Sequence, residues 1–324
     1  MKHNKCLILG GFGFIGIPTV KRLIASGIHV KMLRRDPITS FDHDSKKNYN
    51  YEVFNDQEKE SIEIIKGDFQ DIHALDEALD GCNLCVHLIT TTIPQSSNKD
   101  IYYDINSNLI GSIRFIEAAN NHRIKKIVYL SSGGTVYGNP LYTPINELHP
   151  TDPICSYGIT KLSTEKYIRM FNMLHENKSV ILRLSNPYGP GSDRSRLKGA
   201  IGTFVELALS NGDISIFGTG ATVRDYIYID DAIESIISSI AYTGDESVFN
   251  IGSGVGTSLN EIILIIEKIM NKKLSVKYLP TRKTDVFENI LDINKAANHL
   301  NWLPKTSLYD GIMKYIYFKL KNTL

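Results

Sequence analysis

A chain of 324 residues is too long for one small domain and suits either one large α/β domain or a main domain with a lesser appendage. Its 42% hydrophobic and 22% charged content are ordinary globular values, so a sizeable core can be buried. A net charge of +1 with no basic stripe argues against nucleic acid as the main partner and leaves room only for a local patch around a phosphate.

The chain opens MKHNKCLILGGFGFIGIPTV, a basic start and an apolar run of the kind a signal peptide carries. Cleavage there would delete the first strand of the fold, and the glycines have a better reading below. Short apolar runs at Lys5–Leu9, His29–Leu33, Ile62–Lys66, Leu84–Leu88, Ile127–Leu130 and Val180–Leu184 are the expected strands. Between them, helical patterns fall near Ile15–Ser26, Ile72–Leu79, Tyr103–Asn120 and Tyr157–His175. Near-continuous apolar strands alternating with helices imply a parallel sheet covered on both faces. The expected class is α/β, a Rossmann-type doubly wound sheet. Residues 39–60 are polar and charged and read as a mobile surface loop.

After LSNPYGPG (184–191) the pattern changes. A helix is expected near Ile201–Ser210, a strand at Ile214–Phe217, and helices over Asp230–Tyr242 and Leu259–Met270. The division expected is a dinucleotide-binding domain over 1–185 and a smaller substrate lobe over 186–324, with segments returning to the first. Four cysteines (Cys6, Cys82, Cys85, Cys155) are too few and too scattered for a disulfide framework. Cys82 and Cys85 spell C-x-x-C, but CVHLIT reads as a core strand and no second ligand pair accompanies it. They are expected to be core thiols, with no metal and a cytoplasmic setting. No run of about 18 uncharged apolar residues is present, so nothing is expected to span a membrane.

LILGGFGFIG follows a strand and opens a helix, and it fits G-x-x-G-x-x-G or, from Gly11, G-x-G-x-x-G. Glycines there permit a tight turn and close approach of the backbone to a pyrophosphate, whose charge meets the helix N-terminus. The residues expected against the cofactor are Gly10, Gly13, Phe14, Ile15 and Gly16. The second strand ends IHVKMLRRDP. An NAD site wants a carboxylate at this tip, whereas the guanidinium of Arg34 suits a ribose phosphate. NADP(H) is therefore favoured, and Asp36 keeps NAD(H) open. Asp68, in IIKGDFQD, is a candidate for the adenine amine or for a helix cap.

SYGITK places Tyr157 and Lys161 at i and i+4, one above the other on a helix face. An ammonium beside a phenol favours the phenolate and lowers the Tyr pKa, giving a proton donor and acceptor usable near neutrality. GGFGFIG, YLSSGGTVYG, SYGITK, LRLSNPYGPG and GTGATVRDYIYIDD, in this order, resemble the extended short-chain dehydrogenase/reductases. Within that family they are similar to nucleotide-sugar epimerases, dehydratases and 4-keto reductases. The resemblance implies Tyr157 as the acid/base and Lys161 as its partner. It also implies Asn186, Arg224 and Arg282 near the diphosphate, Asp285 near the ribose of a nucleotide-sugar substrate, and a homodimer.

The loop YLSSGGTVYG separates the reactions this resemblance allows. The 4-epimerases usually carry a third serine where this chain has Gly133, and the 4,6-dehydratases carry a Thr and two acids where it has Gly133, Gly134 and Thr135. Elimination of water lacks its acids, so a dehydratase is not expected. Ser132 and Thr135 remain as hydroxyls for the substrate oxygen. The favoured reading is an NADP(H)-dependent reductase of the C4 ketone of a nucleotide-linked 4-keto-6-deoxyhexose, such as dTDP-4-dehydro-6-deoxyglucose, in surface-polysaccharide synthesis. The alternative is an NAD-dependent UDP-hexose 4-epimerase. A non-catalytic nucleotide sensor is a more distant reading, since such proteins usually lose the Tyr or the Lys.

Overall fold

The computed structural model describes residues 5–35, 53–191, 199–280 and 286–323. Its strands in chain order are β1 (Lys5–Leu9), β2 (His29–Arg34), β3 (Ile62–Lys66), β4 (Leu84–His87), β5 (Ile127–Ser132), β6 (Val180–Leu184), β7 (Asn186–Tyr188), β8 (Ile214–Phe217), β9 (Val223–Tyr228), β10 (Val248–Ile251), β11 (Gly256–Ser258), β12 (Val276–Leu279) and β13 (Glu288–Asn289). A seven-stranded sheet runs β10-β6-β5-β4-β1-β2-β3. Within it β1 pairs in parallel with β2 and β4, β2 with β3, and β4 with β5. Strand order therefore reverses between β1 and β4, the position at whose carboxyl ends open α/β sheets take their ligands. The expected Rossmann-like architecture is the one found.

The chain falls into two compact units that interleave along the sequence. The first comprises residues 1–131, 154–182 and 236–248, and the second comprises 132–153, 183–235 and 249–324. In the first, Leu7, Leu9, Leu33, Ile65 and Ile127 from the strands form one buried cluster with Leu75, Leu79, Phe115 and Ile116 from the helices Ile72–Leu79 and Gly111–Asn121. Each such side chain contributes roughly 1.5–3 kcal/mol by leaving water. The charge of Lys31, on buried β2, is handled locally. Its Nζ donates to the carbonyls of Glu77 (3.1 Å) and Asp80 (2.8 Å), at the C-terminal end of the helix Ile72–Leu79. The ammonium thus meets the negative end of a helix and satisfies carbonyls that the helix leaves unpaired.

In the second unit β9 is central: β7 and β13 pair with it in parallel and β11 antiparallel. Asp225 on β9 is fully buried and accepts from Ser253 N (2.7 Å), Ser253 Oγ (2.8 Å), Gly254 N (3.1 Å) and Leu291 N (3.3 Å). One carboxylate therefore ties the turn after β10 to the segment after β13. Asp231 works alike: it accepts from Lys305 N and Thr306 N, and its carbonyl accepts from Trp302 Nε1 at 3.0 Å.

Two expectations are corrected. Residues 53–60, read as part of a mobile loop, include the short helix Asp56–Lys59, closed by a capping box between Asn55 and Glu58, and Phe54 beside it is buried. The rest of that segment up to residue 52, from residue 39, lies outside the described residues. The single helix expected over Tyr103–Asn120 is three pieces: Ile101–Asp104, a π-helical turn Ile105–Ile110, and Gly111–Asn121. Hydroxyls loosen it, since Ser107 Oγ donates to Tyr103 O (2.6 Å) and Ser112 Oγ to Asn108 O (2.5 Å).

Replacing Lys31 with Met keeps the stem and removes the donor. Urea unfolding should show a loss of about 1–3 kcal/mol, and an unchanged midpoint would mean that the helix end needs no cation.

Candidate active site

The glycine loop is built by close packing of backbone on backbone. Gly10 follows β1 with φ +86°, a left-handed conformation that favours glycine. Gly16 begins the helix Gly16–Ala25, and a Cβ on it would lie 2.1 Å from Gly10 O and 2.7 Å from Gly11 C. No side chain larger than glycine's fits there. The turn is closed by Gly13 N donating to Gly10 O at 3.0 Å, and Ile15 at the helix start offers no side-chain cap. Phe14 lies between them. A turn of this kind at an uncapped helix N-terminus fits a dinucleotide pyrophosphate. Gly10 also leans on the segment after β4: its Cβ would meet Ile89 N and Leu88 C at 3.2 Å, and Leu88 N donates to Leu9 O at 2.9 Å.

Arg34 ends β2, with its guanidinium carbon 5.8 Å from the centroid of the Phe12 ring. The ring of a residue in the glycine loop thus supports the guanidinium by a cation–π contact. Arg35 is exposed and lies 3.9 Å from Asp68. Asp68 accepts from Gln70 N at 2.8 Å, while the cap of the helix Ile72–Leu79 is Asp71, which accepts from His73 N at 3.0 Å. Asp36 lies outside the described residues.

The helix Ser156–His175 carries the Tyr–Lys pair, and Asn98 caps its start by accepting from Ser156 N at 2.9 Å. Tyr157 is half-buried. Lys161 is buried, with Nζ 5.8 Å from the Tyr157 ring centroid and 4.8 Å from that of Tyr129, and it donates to Leu130 O at 2.8 Å. Burial pushes its pKa down to about 8, against the pull of Glu165 and Asp104, which favour the charged form. His87 at the end of β4 is buried among Phe69, Phe115 and Tyr129. Desolvation first, and then Lys161, hold its pKa down to about 3, so the imidazole is neutral; its Nε2 lies 2.9 Å from Ser112 Oγ.

One group beneath the pair gave no signal as a motif. Asp104 is fully buried and accepts from Ser156 Oγ (2.6 Å), Thr160 Oγ1 (3.3 Å), Asn108 Nδ2 (2.8 Å) and Thr92 Oγ1. Ser156 and Thr160 immediately precede Tyr157 and Lys161. Nothing in YYDINSN distinguishes this Asp from a solvated helix residue; only the hydroxyls of SYGIT, spaced one helical turn apart, hint at a shared acceptor.

The other expected residues belong to the second unit. Ser132 is half-buried at the end of β5, and its carbonyl accepts from Thr135 N (3.3 Å) and Val136 N (3.2 Å), curling the loop. Thr135 Oγ1 is enclosed with no partner among the described residues. A Cβ on Gly133 would lie 2.6 Å from Leu291 Cδ1 and 3.0 Å from Arg183 O, whereas one on Gly134 would meet only Ser132 Oγ, at 3.9 Å. Asn186 donates to Asp225 O at 2.8 Å, and Arg224 Nη1 to Val223 O at 2.8 Å. Asp225, next to Arg224 in sequence, is buried and turned to residues 253, 254 and 291. Arg282 and Asp285 lie outside the described residues. Burial raises the pKa of Cys82 to about 11 and that of Cys85 well above the ordinary thiol value, so both are protonated thiols. No helix among the described residues is long and apolar enough to cross a membrane.

Comparison with known proteins identifies the family. The model of the NAD dependent epimerase/dehydratase family matches residues 6–252. A dTDP-4-dehydro-6-deoxyglucose reductase of Escherichia coli is 36% identical over 97% of each chain. A putative UDP-glucose 4-epimerase of Methanocaldococcus jannaschii is 32% identical over 98% of each. The crystal structure of a UDP-glucose 4-epimerase from Thermotoga maritima, solved with UDP-glucose, superposes with a TM-score of 0.89 at 31% identity, covering 99% of this chain and 100% of that one. With a glycine loop shaped for a dinucleotide and a Tyr–Lys pair on one helix face, the chain belongs to the NAD-dependent epimerase/dehydratase family, whose members here are nucleotide-sugar enzymes, epimerase or reductase.

Proposed function

We propose that this enzyme reduces the C4 ketone of a nucleotide-linked 4-keto-6-deoxyhexose, dTDP-4-dehydro-6-deoxyglucose being the substrate that the Escherichia coli relative suggests, with NADPH as the reductant. The observation that carries the reading is the closure of position 133. The serine that 4-epimerases usually place there would push its Cβ into Leu291 Cδ1, at 2.6 Å, and against Arg183 O, at 3.0 Å. A ketone reductase needs one proton delivered per turnover, whereas an epimerase must take a proton from a hydroxyl and return it.

When bound, the nicotinamide supplies hydride to the carbonyl carbon. Tyr157 delivers the proton to the carbonyl oxygen, and Lys161, charged below about pH 8, makes the phenol a better acid. Of the two loop hydroxyls, Thr135 Oγ1 is enclosed and Ser132 is half-buried, which favours Ser132 for the hydrogen bond to the substrate oxygen. Gly10, Gly13, Phe14, Ile15 and Gly16 would hold the pyrophosphate, Asp68 would serve the adenine amine, and Arg34, supported on Phe12, would take the ribose phosphate. Asn186, Arg224, Arg282 and Asp285 are assigned to the sugar nucleotide, and the active form is a homodimer in the cytoplasm. Epimerisation of a UDP-hexose with NAD is the second reading, favoured by the likeness to the Thermotoga maritima epimerase.

The purified protein should consume NADPH with dTDP-4-dehydro-6-deoxyglucose and leave UDP-glucose unchanged in the absence of reductant; formation of UDP-galactose would overturn the reductase reading. Tyr157→Phe should lower kcat by roughly 100- to 10,000-fold, and near-normal turnover would remove Tyr157 from the acid/base role.

By fluorescence titration, NADPH should bind about tenfold or more tightly than NADH, as expected for a charge-assisted pair worth about 1.5–3 kcal/mol. Arg34→Asp should erase the preference, and tighter binding of NADH by the wild type would refute the assignment of Arg34.

A further inference from the structure

We propose that Asp104 is a positioning residue for the Tyr157–Lys161 pair, holding both residues through the hydroxyls that precede them in sequence and setting a buried negative charge against the buried ammonium. The proposal rests on the acid/base role assigned to Tyr157.

The geometry is that of one buried carboxylate with donors from three segments. Ser156 Oγ at 2.6 Å and Thr160 Oγ1 at 3.3 Å, the latter shared with Tyr157 O at 3.0 Å, come from the helix of the pair. Asn108 Nδ2 at 2.8 Å comes from the π-helical turn. Thr92 Oγ1 comes from the segment after β4. That last segment is itself fixed: Thr91 N donates to Asn108 Oδ1 at 2.9 Å, and Thr91 Oγ1 lies 2.6 Å from Ser107 Oγ. Leu88 and Ile89, a few residues earlier, are the backbone on which Gly10 rests. A chain of contacts therefore runs from the dinucleotide loop to the residues just before Tyr157 and Lys161. The π-helical turn belongs to this arrangement, because its wide turn carries Asn108, which bonds both Asp104 and Thr91.

The titratable groups around Lys161 come from four elements. Glu165 and Tyr157 lie on its own helix, and Ser131 Oγ donates to Glu165 at 2.5 Å. Asp104 lies on the neighbouring short helix, Tyr129 on β5 and the neutral His87 on β4. Among the described residues, Glu165 and Asp104 oppose the desolvation that lowers the Lys161 pKa. Asp104 alone of these two also holds the hydroxyls beside Tyr157 and Lys161.

Asp104→Asn in the full-length protein separates charge from shape. The amide oxygen keeps Thr92 and Asn108 as donors, and the amide nitrogen turns toward Ser156 and Thr160, whose hydroxyls rotate to accept. In protein labelled with 13Cε-lysine, with Lys161 assigned by Lys161→Arg, the titration midpoint of Lys161 should fall from about 8 by half a unit or more. In whichever of the two reactions the wild type catalyses, kcat should fall tenfold or more, KM for the nucleotide sugar should change less than threefold, and the alkaline limb should move down with the Lys161 midpoint. An unmoved Lys161 midpoint, or a kcat within twofold of wild type, would overturn the proposal. Should the Asn variant fail to fold, Thr160→Val with Ser156→Ala removes the hydroxyls and keeps the charge. There kcat should fall with the Lys161 midpoint unmoved, and an unchanged kcat would overturn the positioning role. The lysine titration needs no substrate, so a wrong reaction assignment leaves it readable.

Discussion

The first unit is organised around a charge that burial takes out of water. Lys161 is buried on a helix that also faces a cluster of rings, and burial lowers its pKa to about 8 from the ordinary 10.5. Between those two values the unfolded chain holds the proton more tightly than the folded one. Stability from this group therefore rises with pH across that window, and below it the buried charge weighs against folding. The surroundings are arranged to limit that penalty. The Leu130 carbonyl accepts a hydrogen bond from the ammonium, the Tyr129 ring offers its face, and two carboxylates favour the charge. These groups come from β5, the helix Ser156–His175 and the short helix Ile101–Asp104, so the ammonium is met from three elements.

The second constraint is backbone packed on backbone. Gly16 against Gly10, and Gly10 against Leu88 and Ile89, leave no room for side chains at the carboxyl ends of β1 and β4. The sheet reverses its strand order at that place, and the gap it opens is where the helix N-terminus of Gly16–Ala25 presents its positive end. Since the segment after β4 is tied onward to Asp104, the glycine loop and the Tyr–Lys helix are positioned by one continuous set of contacts within the unit. Small residues bring the backbones together, and hydroxyls carry the connection on to the pair.

Much of this was legible in the sequence. The strands up to Val180–Leu184 announced themselves as near-continuous apolar runs, and the glycine loop by its place between a strand and a helix. What escaped were features without periodicity. The strands Val223–Tyr228 and Val248–Ile251 hide in RDYIYI and VFNI, short runs that resemble helix fragments until their partners are known. The split of Tyr103–Asn120 depends on hydroxyls that bond backwards to carbonyls, and Ser and Asn are common in surface helices for other reasons. Asp56–Lys59 was masked by its polarity, although Asn55 and Glu58 spell a capping box. Asp104 could not be found because its role lies in what surrounds it; its own neighbours in sequence are tyrosines and asparagines.

The loop of Gly133 and Gly134 shows how packing and chemistry are separated at a single site. Gly133 has a purely steric reason to be glycine: Leu291, fully buried and almost at the other end of the chain, occupies the volume its side chain would need, and Asn289 Nδ2 donates to its carbonyl at 3.1 Å. A hydroxyl at this position would therefore require a residue far outside the motif to shift, and the motif alone does not decide what the loop can do. Gly134 has no such reason. A Cβ there would be in van der Waals range of Ser132 Oγ only, at 3.9 Å. Its glycine thus leaves open space beside a half-buried hydroxyl, and space beside a hydroxyl is what a substrate oxygen requires.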